Sequence, residues 1–175
     1  MFSLRYFVES FAAALELYKF SRSKPHNVHH RTAWKWQWIA INQGAMQTYF
    51  LREAIALIAY EFGPCITVKR HMDPDAAVQR AVDKFDALFP ELKKMRDGIA
   101  HAPTVAYANL KIPLEKGYSG PRLIDADTFE LTNKGQKYRF TMTDETTQKL
   151  TEVLMSFWAE FDPVAKAFDQ IGRSD

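Results

Sequence analysis

Cysteine is almost missing from this sequence, for Cys65 stands alone among 175 residues. A lone thiol excludes an intramolecular disulfide and leaves no cysteine-based metal site, so a reducing cytoplasmic location is expected. Long apolar runs are missing as well. No stretch of 18 or more uncharged apolar residues occurs, which argues against a membrane-spanning helix. The opening MFSLRYFVESFAAALELYKF carries Arg5, Glu9, Glu16 and Lys19, so it reads as an amphipathic helix and not as a signal peptide. There is no internal repeat and no low-complexity segment. A glycine-rich phosphate loop, a helix with paired metal-binding histidines and a nucleophile-elbow serine are also absent, which removes the commonest nucleotide-hydrolysing, metalloprotease and esterase classes. One sign of charge is missing locally: from Leu17 to Arg52 no carboxylate occurs, against Lys19, Arg22, Lys24, Arg31, Lys35 and Arg52.

What is present is ordinary globular material. Apolar residues make up 47% and charged ones 25%, and the length suits one domain over 1–175 with a sizeable core. A net charge of +2 and a pI near 8.6 do not announce a nucleic-acid binder. Their distribution leaves two readings open: the basic N-terminal third is a face for a phosphate backbone, or it is a solvated helix entrance.

Apolar spacing predicts five helices, near 3–20, 32–60, 74–89, 91–101 and 144–171. In the first, Leu4, Phe7, Val8, Phe11, Leu15 and Tyr18 recur at steps of three and four. Pro25 breaks it. The long second helix is apolar most of the way round, so it is expected to be the most buried element, with Gly44 permitting a bend. Asp73 caps the third, Pro74 fits its first position, and Val78, Val82, Phe85 and Phe89 form one face. Thr143, Asp144 and Glu145 open the last helix, which Pro163 should kink or split. Between Pro103 and Met142 the helical period vanishes, and alternation around Asn133-Lys-Gly predicts a β-hairpin near 128–142. The expected fold class is thus all-α: an up-and-down bundle of four to five helices, with a hairpin or loop insertion at about 104–142 before the last helix.

The stretch that points to chemistry is KKMRDGIAHAPT, residues 93–104. Arg96, a polar Asp97, and His101 after a gap of four sit at the end of the penultimate helix. In this arrangement the sequence resembles the HEPN superfamily, whose helical bundles carry an arginine, a polar residue and a histidine four to six residues on. Arg22 and His29 also match, with a gap of six, but Pro25 between them forbids a regular helix. The resemblance covers roughly 1–103 and 143–171 and implies a metal-independent endoribonuclease, of toxin or defence and stress type, without a cofactor. It implies RNA as substrate, a homodimer sharing one site, and an antitoxin or nucleotidyltransferase-type partner. A non-catalytic module binding a nucleotide or a partner protein is the alternative.

The residue types suit that reaction. Cleavage through the RNA 2′-hydroxyl needs a proton shuttle and a cation for the phosphate. A histidine titrating near neutrality supplies the first, and the planar arginine fork supplies the second. Asp97 is available to orient either of them. On an ideal helix Arg96 and His101 are separated by roughly 140° and about 7.5 Å. Either the helix ends near His101, helped by Gly98 and Pro103, or a two-fold axis completes the site. Both residues are expected to be exposed. Arg31 and Lys35 are candidate RNA contacts. The histidines at 26, 29 and 30 fit no standard zinc spacing, and no metal is expected. Trp34 and Trp38 share a helix face, with Trp36 nearly opposite, so a base-stacking platform and core packing compete there.

Overall fold

A computed structural model describes residues 4–23, 28–62, 64–99, 119–133 and 135–171. The chain order is α1 (Leu4–Arg22), α2 (His30–Phe62), α3 (Ile66–His71), α4 (Pro74–Leu88), α5 (92–99), β1 (Ser119–Leu123), β2 (Thr128–Asn133), β3 (Gln136–Thr141), α6 (Asp144–Ala159) and α7 (Asp162–Ile171). The protein is mostly helical, with a small antiparallel sheet before the last helices.

Local chemistry explains the ends. The Asp73 carboxylate accepts from the amides of Asp75 and Ala76, both at 3.1 Å, and Pro74 starts α4 without wasting a donor. Thr143 caps α6 by accepting from the Thr146 amide at 3.3 Å. The predicted last helix is two: α6 ends at Ala159 and α7 restarts at Asp162, next to Pro163, whose ring cannot continue an α-helical ladder. The short α3 was not expected, because six residues are too few to show a period.

α1 lies along α2, α2 against α4, and α4 and α1 both against α6. The sheet is where expectation needs correcting. β2 and β3 form the predicted hairpin, pairing Asn133 with Gln136 around Gly135, whose φ of 77° favours glycine. A third strand, β1, pairs antiparallel with β2, so 104–142 holds a three-stranded sheet and not a lone hairpin, and the all-α class gives way to a mainly helical fold with a sheet. Gly120 and Pro121 hid that strand in the sequence; proline is tolerated on an edge, and the register shifts between Ser119 and Arg122.

Nor is the sheet an appendage. Phe129, Leu131, Phe140 and Met142 join the same buried cluster as Phe11, Leu15, Tyr18, Ile41, Phe85, Leu150 and Phe157. Phe129 meets Tyr18 edge-on at 5.6 Å, and Phe140 meets Phe11 at 6.2 Å. Two glycines let helices approach. A Cβ on Gly44 of α2 would lie 2.5 Å from the Met142 sulfur, and one on Gly98 of α5 would lie 2.1 Å from Leu131 Cδ2. Gly44 was read as a point of bending and Gly98 as an aid to ending the helix; both are points of close packing. The expectation for α2 also changes, because its buried residues are confined to one face of its middle, from Ala40 to Ile55.

Candidate functional site

Arg96 stands on α5, whose Leu92 and Met95 are buried in the core. That packing turns the arginine toward α2. Its guanidinium lies over the Tyr49 ring, 4.8 Å from the centroid, and its Nη1 donates to Asp97 Oδ1 at 2.9 Å. The side chain is 35% exposed, so it is half-buried and not the exposed residue expected. Its Nε is buried and has no hydrogen-bond partner among the described residues. The Asp97 bond raises the guanidinium pKa, with Tyr49 and Glu53 adding to the effect. Burial pushes the Tyr49 hydroxyl up, and the Glu53 carboxylate adds to that.

The surroundings carry more charge. Arg52 holds Asp86 of α4 in a bidentate pair at 2.6 and 2.7 Å, and reaches Glu53 at 3.0 Å. The half-buried end of this site is therefore a row of Asp97, Arg96, Tyr49, Glu53, Arg52 and Asp86 joining α5, α2 and α4. Tyr49 and Glu53 were not singled out in the sequence. Their only signal there is a spacing of four on one helix, which is too common to notice.

His101 and His26 lie outside the described residues. Arg31 and Lys35 are exposed at the start of α2, 18 and 14 residues before Tyr49, or about 27 and 21 Å along the helix axis. Within one chain they are therefore not brought to Arg96. Arg22, from the rival match, is engaged elsewhere: it bonds the Ala126 carbonyl and pairs with Asp127 at 2.8 Å. Trp34 and Trp38 meet edge-on at 5.6 Å, while Trp36 sits 6.0 Å from Phe20, so the three do not form one platform. Among the described residues there is no group of three or more histidine, cysteine, aspartate or glutamate side chains able to hold a metal, and no helix is long and apolar enough to cross a membrane.

A second charged cluster lies on the outer face of the sheet. The Glu130 carboxylate, 3% exposed, takes Arg122 at 2.7 Å, Arg139 at 3.4 Å and Lys137 at 3.5 Å. Arg122's hydrogen bond, joined by the Lys137 charge, holds its pKa below the ordinary glutamate value. Comparison of the chain with protein-family models, with curated proteins and with solved structures gives no significant match.

Proposed function

We propose that the protein is a HEPN-like bundle acting as a metal-independent endoribonuclease, in which Arg96 stabilises the phosphate and His101 moves the protons. The observation that carries this reading is the state of Arg96. Its plane is held by Tyr49 and Asp97, yet its buried Nε has no acceptor among the described residues. A buried donor without a partner costs about 1–3 kcal/mol, and the 35% of the side chain that stays exposed is what a phosphate oxygen can reach. A prepositioned planar cation is also what an oxyanion developing at phosphorus needs. His101 follows two residues after the last described turn of α5, within the sequence spacing that the chemistry uses.

In this scheme His101 takes the proton from the RNA 2′-hydroxyl, the oxygen attacks phosphorus, and a proton returns to the departing 5′-oxygen. The product is a 2′,3′-cyclic phosphate. No metal takes part, the site is completed across a homodimer, and the physiological setting is that of a toxin or a stress or defence nuclease with an antitoxin or nucleotidyltransferase-type partner. The test is incubation of the purified protein with mixed RNA in EDTA beside His101→Ala. Cleavage by the parent, lost in the variant, supports the reading; equal cleavage by both, or cleavage abolished by EDTA, sinks it.

One observation favours a second reading. Arg96 already has a carboxylate at 2.9 Å, which offsets much of its charge. Such an arginine suits a non-catalytic module that binds a nucleotide or partner protein, and RNA binding without cleavage would select that alternative.

A further inference from the structure

The long α2 leaves one face uncovered. Ile39, Phe50 and Leu57 are 57%, 39% and 63% exposed, and Met46 lies between them, half-buried. Steps of seven, four and seven residues keep all four within an arc of about 40°, over about 27 Å of helix. Four large apolar side chains in one solvent-facing row are more than scattered surface exposure.

The row is its own complement. Turning α2 end for end about Thr48 exchanges Ile39 with Leu57 and Met46 with Phe50. The same reversal brings Gln43 level with Glu53, and Lys35 level with Glu61. Charge follows the same symmetry at the ends, since the first half of α2 carries Arg31 and Lys35 without an acid, and the second half carries Glu53 and Glu61, with Arg52 there already paired to Asp86 and Glu53. A helix basic at one end and acidic at the other, apolar between, suits an antiparallel copy of itself. We infer that two copies of this chain pair through α2, antiparallel about a two-fold axis near Thr48. An isologous contact of this kind closes at two subunits.

The consequence reaches the candidate site, and here the inference rests on the proposed shared site. Tyr49 is one residue from the reversal point and lies to one side of the apolar row. A two-fold axis keeps both Tyr49 rings on the same side, so both stacked Arg96 guanidinium groups border one cleft. Lys35 of each chain, remote from its own Arg96, remains at the outer ends.

Sedimentation equilibrium of the full chain at micromolar concentration tests the pairing without any RNA. The expected mass is twice 20.2 kDa. Ile39→Glu with Leu57→Glu, checked for unchanged helical circular dichroism, should weaken association by about 30-fold or more, because each dimer loses both of its Ile39–Leu57 contacts and gains buried charge. Lys35→Glu and Glu61→Lys should each weaken it, and the two together should restore it. In a Cys65→Ser background, Met46→Cys with Phe50→Cys should oxidise to a covalent dimer, while Ile39→Cys with Phe50→Cys should not. A monomeric parent, a dimer indifferent to the Ile39/Leu57 pair, or charge reversals whose losses add would each overturn the inference. A dimer that behaves as expected but cleaves no RNA would leave the pairing standing and remove only the nuclease reading.

Discussion

Arg96 and Glu130 are both charges partly withdrawn from water, and the molecule treats them oppositely. Glu130 sits under three cations from two neighbouring strands, so its two oxygens are oversupplied with donors. Among the described residues, Arg96 has one carboxylate bonded to it, an aromatic ring beneath it and a buried Nε with no acceptor. A saturated charge holds structure together, because any added ligand would have to displace a partner. An undersupplied charge is where a ligand gains most, since the desolvation has already been borne by folding. The two regions meet at Gly98, which packs α5 directly onto Leu131, the neighbour of Glu130 in β2.

The largest expected effect breaks the comparison on its functional side. His101→Ala should lower RNA cleavage by about 10²- to 10⁴-fold, the usual cost of losing positioned acid–base help. Arg96→Lys keeps the charge but loses the fork and much of the stacking, so it too should cut poorly, with the fold retained. Single-turnover cleavage assays in EDTA decide this; an Arg96→Lys protein as fast as the parent would place Arg96 with Glu130 among the structural charges.

Gly98→Ala comes next and acts on the joint between the regions. Its methyl group would strike Leu131 inside the core, and overpacking of that kind costs about 1–3 kcal/mol. Alanine's better helix propensity returns up to about 1 kcal/mol. Chemical denaturation should show a net loss of about 1–2 kcal/mol, with cleavage reduced as α5 shifts. An unchanged or raised midpoint would mean that Leu131 moves aside freely. Tyr49→Leu should cost less, about 0.5–1 kcal/mol from the lost ring beneath Arg96, whereas Tyr49→Phe should be nearly neutral. Equal losses from both would shift the credit from the ring to the hydroxyl.

The smallest effect concerns pH. Because the folded protein holds the Glu130 pKa below 4.5, its contribution is complete above that value and is lost as pH falls through the depressed native value. The three cations are each about 60% exposed, so solvent screens much of the gain. Thermal midpoints measured from pH 7 to pH 3 should converge for the parent and Glu130→Gln on the acid side. A gap that widens toward pH 3 would contradict the saturated picture of Glu130.

Much of the scaffold was legible in one dimension. The Asp73-Pro74 start of α4, the Thr143 cap, the turn at Gly135 and the break beside Pro163 are each fixed by residues within a few positions of one another. Arg96 and Asp97 could be picked out for the same reason, being neighbours on one short helix. The sequence by itself therefore determined the helices other than the short α3, several of their ends, the hairpin and the identity of a candidate cation. Only the tertiary structure decided that β1 joins the sheet despite Pro121 and that Gly98 serves contact with Leu131. It also decided that Glu130 is covered by three cations and that Tyr49 supports Arg96 from 47 positions away. These are pairings between distant segments, and neither periodicity nor capping encodes them. They arise when burying Phe129, Leu131, Phe140 and Met142 against α1, α2 and α5 brings those segments together.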